Sequence, residues 1–349
     1  MCSVHDTLGA FQARRLPGLR PYSPQSIQSD KLETKFPMKR SATQGILAFR
    51  FDVDSVRCLE EGIPGLAELA RAWDVRFTFF VNMGYSFNWT HNVRHFLGKR
   101  LRTSRVKPAR PGHALPTVAK LGLCGVLKTV LLNPRLGERY RSVLDDLHRD
   151  GHELGLHGGT DHVVWQRSLP DLDDGAIRSL LMPAYETFAN RYGRPVGFAS
   201  PGFVHNTAVL RLLEELRFEY SSDMAGEEPF RPSRDCGKSW RHFQTPVNVI
   251  GAGQVPLIEE GLALGLSRGE IINRCVAQIR KRKYALLYGH PYVEGVHTEI
   301  LHGVLERLAG AYKVVTMREY LRLWKEGQGG KARSAYEMVM ASGGCEGAR

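Results

Sequence analysis

The sequence contains little cysteine and no long hydrophobic run, and these two absences narrow the class of protein. Six of the 349 residues are cysteine, and no two of them form a Cys-x-x-Cys pair. Scattered cysteines of this kind are typical of reduced thiols in a cytoplasmic protein, not of a disulfide framework. The longest apolar run in the middle of the chain, 121–132, is interrupted by Lys128 and is shorter than the ~20 residues of a transmembrane helix. We therefore expect a cytoplasmic protein that does not cross a membrane.

Acidic residues are missing from one stretch of a chain that is basic as a whole. The formal net charge of +12 at pH 7 favours an anionic partner such as nucleic acid, a phospholipid surface or a phosphorylated substrate. From Arg94 to Arg110 the chain carries seven Lys and Arg residues and no Asp or Glu. A solvated basic face would explain this cluster equally well. Because no RNA-binding motif, zinc-finger spacing or basic-aromatic interleaving accompanies it, nucleic acid is not expected as a partner.

Short apolar strands alternate with helical stretches along most of the chain, which is the pattern of a parallel α/β sheet. The predicted strands are 46–52, 77–81, 153–156, 196–199, 218–221, 247–250, 285–288 and 313–315. The predicted helices are 64–73, 138–149, 174–191, 207–216, 268–281, 298–309 and 317–325. Seven or eight β/α units in one series predict a distorted (β/α)7-8 barrel.

Three regions follow from this pattern. Residues 1–43 are rich in Pro, Ser, Gln and Arg, lack the apolar core of a signal peptide and are predicted to be a disordered leader. The barrel occupies 44–325, and a Gly-rich disordered tail follows at 326–349. Inside the barrel region, residues 82–137 are too long for a connecting loop and are interpreted as a helical insertion after the second strand. The organised pattern begins after Met38, so a start at Met1 or at Met38 stays open.

Two carboxylates end the first predicted strand. Asp52 and Asp54 are two residues apart, so their side chains are expected on the same face at the carboxyl end of the strand. Open α/β sheets and barrels keep their chemistry at this end. Two like charges at such short range repel unless a proton or a cation neutralises them. We expect a metal ion to do so.

Histidines follow two other predicted strands. His157 and His162 are five residues apart across a glycine-rich turn, and with Asp54 they make a set of two histidines and one carboxylate. Such a set leaves coordination positions open, as a catalytic metal needs. His290 is either a buried core histidine or a catalytic group. The segment 200–203, Ser-Pro-Gly-Phe, offers backbone N–H groups as oxyanion donors.

The order of these motifs resembles the polysaccharide deacetylase family, metal-dependent hydrolases that remove N-acyl groups from sugars on a distorted (β/α) barrel. The sequence is most similar to its branch of bacterial deformylases that act on undecaprenyl-phosphate-linked 4-deoxy-4-formamido-L-arabinose. The similarity covers roughly 46–323. The segments that carry it are 50–54, 61–64, 82–84, 152–157, 200–203, 222–223, 229–232, 288–291 and 293–295.

The resemblance implies a role for each matching residue. It makes Asp52 the catalytic base and His290 the general acid. It makes Asp54, His157 and His162 the ligands of a divalent metal, for which Zn²⁺ is most suitable and Mn²⁺, Co²⁺ and Fe²⁺ are alternatives. The further implied contacts are the oxyanion donors Gly202 and Phe203 and the substrate-binding residues Glu61, Asp223, Arg231 and Glu294.

The sequence departs from the family pattern at two places. The two ligand histidines are usually four residues apart, whereas here they are five apart and Asp161 stands at the fourth position. Asp161 is therefore a rival to His162 as third ligand. Many family members also carry an arginine in the third motif that holds the catalytic Asp, and here Ala199 stands there. The deformylase branch lacks this arginine too, so its absence favours that branch over an inactive enzyme.

These implications predict a metal-dependent hydrolase that removes a formyl or acetyl group from an amino sugar, with a lipid-phosphate-linked and a nucleotide-linked sugar as the two alternatives. The basic and apolar segments of the insertion would rest on an anionic membrane at its cytoplasmic face; packing of the apolar run within the insertion is the alternative. Two other functions stay open. One is a deacetylase of soluble or polymeric glycans, and the other is a catalytically silent carbohydrate-binding or lipid-phosphate-binding protein of the same fold.

Overall fold

The structure, a computed structural model, describes residues 44–86, 133–234 and 238–328. Its centre is a parallel sheet of eight strands with the order β6-β5-β4-β3-β2-β1-β7, and β8 pairs with β1. The strands are β1 (Gly45–Val53), β2 (Thr78–Val81), β3 (Glu153–His157), β4 (Gly197–Ala199), β5 (Tyr220–Ser221), β6 (Phe243–Gln244), β7 (Tyr284–Gly289) and β8 (Tyr312–Val315). Every strand pair is parallel. The predicted parallel α/β fold of barrel type is confirmed.

Helices follow most of the strands. The α-helices are α1 (Ile63–Ala72), α2 (Leu136–Arg139), α3 (Arg141–Arg149), α4 (His162–Ser168), α5 (Asp174–Tyr192), α6 (Thr207–Glu215), α7 (Leu257–Ala263), α8 (Arg268–Ile279), α9 (Pro291–Glu294), α10 (Thr298–Leu308) and α11 (Met317–Gly327). Several begin where a polar side chain accepts a backbone N–H of the first turn, which satisfies a donor that the helix leaves open. These N-cap residues are Asp161, Asp173, Asn206, Ser267 and Thr316.

Strand β1 is the central element, since it pairs with β2, β7 and β8. All nine of its residues are buried. Its alternate residues from Leu47 to Val53 join the large core cluster beneath the helices, whereas Ile46 and Ala48 join a second cluster inside the sheet. The period of two therefore places Arg50 and Asp52 on the inner side, among the residues that line the barrel.

The strand predicted at 247–250 does not form, and the Asn248 side chain makes hydrogen bonds to β7 in this segment. This segment makes two single bridges, Ala225 with Val247 and Val249 with Leu287, and no continuous strand. Between them the buried Asn248 amide accepts the Leu286 N–H at 2.7 Å and donates to the carbonyl oxygen of Tyr284 at 2.9 Å. The side-chain amide thus makes two bonds to β7 that a neighbouring backbone would make, and the ladder does not continue.

Other differences from the predicted elements are local. The predicted helix 138–149 breaks at Tyr140 into α2 and α3, and β6, α4, α7 and α9 form where no regular element is predicted. The sequence pattern does not predict α7, because two of the buried residues of this helix are the carboxylates Glu259 and Glu260 and not apolar side chains. Helix α11 continues through Gly327, two residues past the predicted barrel boundary.

Parts of the predicted domain organisation lie outside the described residues. These are the leader 1–43, most of the insertion, 87–132, and the end of the tail, 329–349. Within the three described ranges, no helix combines the length and apolar character needed to cross a bilayer.

The hydrogen bonds from the Asn248 amide to β7 predict that a variant without this amide is less stable. Asn248→Ala leaves the buried Leu286 N–H without this partner, whereas the Tyr284 carbonyl keeps its contact with the Tyr320 hydroxyl at 3.3 Å. A buried group without a partner costs ~1–3 kcal/mol, and we expect the free energy of unfolding, measured by urea titration, to fall by about that amount. The control is Asn273→Ala, since Asn273 is exposed on α8 and bonds only the exposed Arg307. Equal losses in the two variants would contradict the role of Asn248.

Candidate active site

A fully buried ion pair lies at the carboxyl end of β1. Arg50 Nε donates to Asp52 Oδ1 at 2.8 Å and Arg50 Nη2 donates to Asp52 Oδ2 at 2.7 Å, so the contact is bidentate. Burial works to raise the pKa of Asp52, but the Arg50 charge, aided by His157, lowers it below its usual value. Asp52 is therefore ionised at neutral pH.

The guanidinium of Arg50 is enclosed on its other sides. Its carbon atom lies 5.2 Å from the ring centroid of Phe80 and 5.0 Å from those of Phe203 and Tyr288, distances at which cation–π attraction acts. Nη1 donates to the Ser222 carbonyl and lies 3.0 Å from Ser222 Oγ. The cation is thus fixed by the inner barrel wall.

Asp54, two residues further, faces two histidines. Its Oδ2 lies 3.9 Å from His162 Nε2 and 3.8 Å from His290 Nε2. Its Oδ1 lies 3.6 Å from the buried thiol of Cys58, and its carbonyl oxygen accepts the Ser86 hydroxyl at 2.5 Å. The two aspartates therefore have different neighbours.

His157 ends β3 and is oriented by the next strand. Its Nδ1 lies 3.0 Å from the Ala199 carbonyl oxygen, so Nδ1 carries the proton and Nε2 keeps a free lone pair. The ring centroids of His157 and His162 are 5.3 Å apart. Burial lowers the pKa of His157 to about 4 and also lowers the pKa of His162. Both imidazoles are neutral at pH 7, the form that binds metals.

Asp54, His157 and His162 have the donor atoms that a divalent metal binds, but the distances between these atoms are longer than in a bound metal site. Among the described residues, no three His, Cys, Asp or Glu side chains lie close enough to share an ion as they stand. Donor atoms on one tetrahedral ion at ~2.1 Å are roughly 3.4 Å apart, whereas Asp54 and His162 are 3.9 Å apart. An inward shift of roughly half an ångström would bring these two into range. One carboxylate and two neutral imidazoles are donors that such an ion accepts.

The extra residue in the histidine loop acts as a helix cap. Asp161 Oδ1 accepts the Val164 N–H at 2.9 Å at the start of α4. The same loop is tied to the end of β2, since Tyr85 N–H donates to the Thr160 carbonyl at 2.9 Å and His162 N–H donates to the Tyr85 carbonyl at 3.1 Å. The loop backbone therefore turns His162 toward Asp54 while the Asp161 carboxylate binds the helix.

His290 lies on the far side of Asp54. Its Nε2 is 3.1 Å from the Tyr288 hydroxyl, and its Nδ1 is 3.8 Å from Glu259 Oε2. Its backbone N–H donates to Glu294 Oε2 at 2.7 Å. Burial raises the pKa of Glu294 well above its usual value and so favours its protonated form, and its Oε2 anchors the backbone of His290. The ring stacks on Tyr292 at a centroid distance of 4.9 Å.

The proposed oxyanion donors lie in a short 3-10 turn, Pro201–Phe203. Phe203 N–H already donates to the Ser200 carbonyl at 3.0 Å, which leaves the Gly202 N–H as the candidate donor. Phe203 adopts φ 60°, a backbone region that is unusual for a bulky residue. Its ring packs on the Arg50 guanidinium, so the strained turn contributes to the enclosure of that cation.

Comparison with known proteins gives both a sequence match and fold matches. No protein-family model matches the chain. Over 189 residues the chain is 26% identical to the probable 4-deoxy-4-formamido-L-arabinose-phosphoundecaprenol deformylase ArnD of Shewanella sediminis, which is 53% of this chain and 59% of that protein. The chain thus spans about three fifths of the length of this curated relative.

Solved structures with the same fold include two described as polysaccharide deacetylases. The protein from Mycobacterium smegmatis gives a TM-score of 0.54 at 18% identity, over 83% of this chain and 93% of that chain. The protein from Pseudomonas aeruginosa PAO1 gives 0.52 at 14% identity, over 80% and 91%. The chain thus shares the fold of these two proteins. PuuE allantoinase also gives 0.52, at 13% identity over 88% of this chain and 98% of that chain, so this fold alone does not define a substrate.

Within this polysaccharide deacetylase fold, the four residues assigned to substrate binding are dispersed. Glu61 is exposed and paired with Arg57. Asp223 is buried, and its Oδ1 accepts the Ser200 N–H at 2.7 Å. Arg231 is exposed over the Phe243 ring. Glu294 is the anchor of His290 described above, so Asp223 and Glu294 support site loops from behind.

Three residues of the site have no role assigned from sequence. Arg50 lies in the same motif as Asp52, but the sequence alone does not show that the two side chains pair with each other. Tyr288 reads as an ordinary strand residue. Glu259 is hidden in α7, where two adjacent carboxylates suggest an exposed helix. The sequence shows two adjacent glutamates between apolar residues, and only the structure shows that both are buried and that Glu259 faces His290.

The third ligand can be decided by two variants. Asp161→Ser keeps a side chain that caps a helix but removes the carboxylate, so we expect it to retain Zn²⁺ in equilibrium dialysis. His162→Ala removes a proposed ligand and should weaken Zn²⁺ binding by more than ~10-fold, the loss that even indirect changes around a metal cause. Loss of Zn²⁺ from Asp161→Ser with retention in His162→Ala would make Asp161 the ligand.

Proposed function

We propose that this protein is a hydrolase that removes a formyl or acetyl group from the amino nitrogen of a sugar. The observation that carries the proposal is the placement of an ionised, buried Asp52 and of His290 around Asp54 at the carboxyl ends of the strands. A base and an acid at one site are what amide hydrolysis requires. Similarity to the deformylase ArnD and to the deacetylase fold supports the same reaction class.

Asp54, His157 and His162 are the proposed holders of a divalent cation, most suitably Zn²⁺, with Mn²⁺, Co²⁺ and Fe²⁺ as alternatives. When bound, such a cation supplies Lewis-acid chemistry to a carbonyl group and to water. Burial keeps both imidazoles neutral, and the Ala199 carbonyl directs the free nitrogen of His157 away from the backbone.

Asp52 acts as the general base. The two bonds from Arg50 occupy one lone pair on each carboxylate oxygen, and each oxygen keeps a second lone pair. A water proton can pass to it as the water oxygen attacks the acyl carbon. The Gly202 N–H is the proposed donor to the carbonyl oxygen as negative charge develops there.

His290 acts as the general acid. Its Nε2 faces Asp54, where the amine nitrogen must leave, and donates a proton as the C–N bond breaks. Its Nδ1 faces the Glu259 carboxylate at 3.8 Å, which places a negative charge beside the ring that donates the proton. Glu294 holds the backbone of His290 from below through the 2.7 Å bond to its N–H.

The substrate class is an amino sugar, carried by a lipid phosphate. The name of the relative ArnD supports this assignment, and the net charge of +12 suits a phosphate-bearing ligand at the membrane surface. We place the protein in the cytoplasm, at the inner face of the membrane.

The base assignment predicts that Asp52→Asn slows turnover by ~10²–10⁴-fold while Zn²⁺ binding is retained. Formate and acetate release are measured from a 4-formamido sugar, an N-acetyl sugar and a polymeric N-acetyl glycan, and allantoin hydrolysis is measured in parallel. The control is Asp146→Asn, which changes an exposed carboxylate on α3. Full activity of a metal-loaded Asp52→Asn protein would refute the assignment, and turnover of allantoin alone would refute the substrate class.

The acid assignment predicts that Glu259→Gln lowers kcat by roughly 10–100-fold, less than loss of the acid itself. Its control is the neighbouring Glu260→Gln, because Glu260 is also buried but binds Arg274 and the Ala252 N–H. We expect that control to lower stability and leave kcat nearly unchanged. If both variants lose kcat equally, the effect belongs to the helix and not to the contact with His290.

A further inference from the structure

We propose that Arg50 is the positioning residue of the catalytic base, and that β1 itself supplies the arginine that the third motif lacks. The inference rests on the proposed function, because it gives Arg50 a role that acts through Asp52. At the third motif the chain has Ala199, whose methyl side chain has no hydrogen-bond donor. Arg50, two residues before Asp52, donates the two hydrogen bonds that hold the carboxylate of the base.

The spacing makes this possible. Residues i and i+2 of a strand point to the same face, so the Arg50 and Asp52 side chains run along the barrel wall together. The planar guanidinium can then meet both carboxylate oxygens, and it does so at 2.8 Å and 2.7 Å. A bidentate contact fixes the plane of the carboxylate as well as its position.

The guanidinium is itself held from behind. Its Nη1 contacts Ser222, and the Ser222 hydroxyl donates to the Thr245 carbonyl at 2.6 Å. The rings of Phe80, Phe203 and Tyr288 close around its remaining faces. A chain of contacts therefore runs from the ends of β5 and β6 through Arg50 to the carboxylate of Asp52.

Stability alone explains this arrangement poorly. Arg50 is 0% exposed and Asp52 is 2% exposed. Removal of two charges from water costs so much that a buried pair is often no more stabilising than apolar residues of similar size. A buried pair of this kind next to Asp54 and His157 is better explained by the orientation that it imposes on the base.

The test is a double-mutant cycle of Arg50 and Asp52. Arg50→Lys keeps the charge but loses the fork, and Arg50→Gln loses both. We expect a kcat decrease of about 10–100-fold for Arg50→Lys, little change in KM, and Zn²⁺ binding like that of the unaltered protein, because Arg50 does not touch Asp54, His157 or His162. In the Asp52→Asn background, neither Arg50 change should lower kcat further, since groups that act as one unit are not additive.

A matched pair elsewhere gives the control. Arg282 makes the same bidentate contact with Glu227, with both distances at 3.0 Å. We expect Arg282→Gln to lower the melting temperature without lowering kcat. If Arg50→Gln does not fold, Arg50→Lys and Phe203→Leu, which opens one side of the guanidinium enclosure, complete the cycle.

The outcomes separate the two proposals. An inactive Asp52→Asn together with a folded Arg50→Lys of full kcat, or with additive losses in the double variant, would overturn the role of Arg50 alone. An active Asp52→Asn would overturn the proposed base and the role of Arg50 with it. Equal kcat losses in Arg50→Lys and Arg282→Gln would show a general loss of structure and not a positioning effect.

Discussion

The buried contact between Arg50 and Asp52 is the constraint on which the rest of the site depends. A cation at the centre of a barrel needs acceptors and aromatic faces on every side, and five strands or strand ends supply them. The pair lies in β1, which pairs with three other strands. The position of the two charges is therefore set by the centre of the sheet. Asp54, one pleat further, is left to face the histidines. One strand thus carries two carboxylates with different partners, Asp52 against the Arg50 guanidinium and Asp54 against His162 and His290.

The sequence predicted those parts of the site that lie on strand ends. The period of two placed Asp52 and Asp54 on one face, and the apolar runs located β1, β2, β3 and β7 within a few residues. It did not predict the partners that arrive from distant elements. Glu259 comes from a helix that reads as solvent-exposed, and Tyr288 is indistinguishable in pattern from a core residue.

The missing strand at 247–250 shows the same limit in the fold. Its apolar alternation is real, and Val247 and Val249 are buried. The Asn248 side-chain amide makes two bonds to β7, and the backbone makes only single bridges there. A hydrogen-bond partner 36 or 38 residues away leaves no trace in local periodicity. Conversely, β6 has two residues, too few for any period to be visible.

The contacts between the residues that flank 87–132 have a consequence for how proteins of this fold diversify. Tyr85 and Arg135 form a bridge, and the Leu136 N–H donates to the Gly84 carbonyl at 2.9 Å, so the residues on either side of 87–132 are held together. Residues added or deleted between two such flanks change the free energy of folding little, since the entropy of loop closure varies only with the logarithm of loop length. Tyr85 also holds the backbone of His162. The length of the segment between these flanks can therefore change in evolution while the histidine loop keeps its anchor.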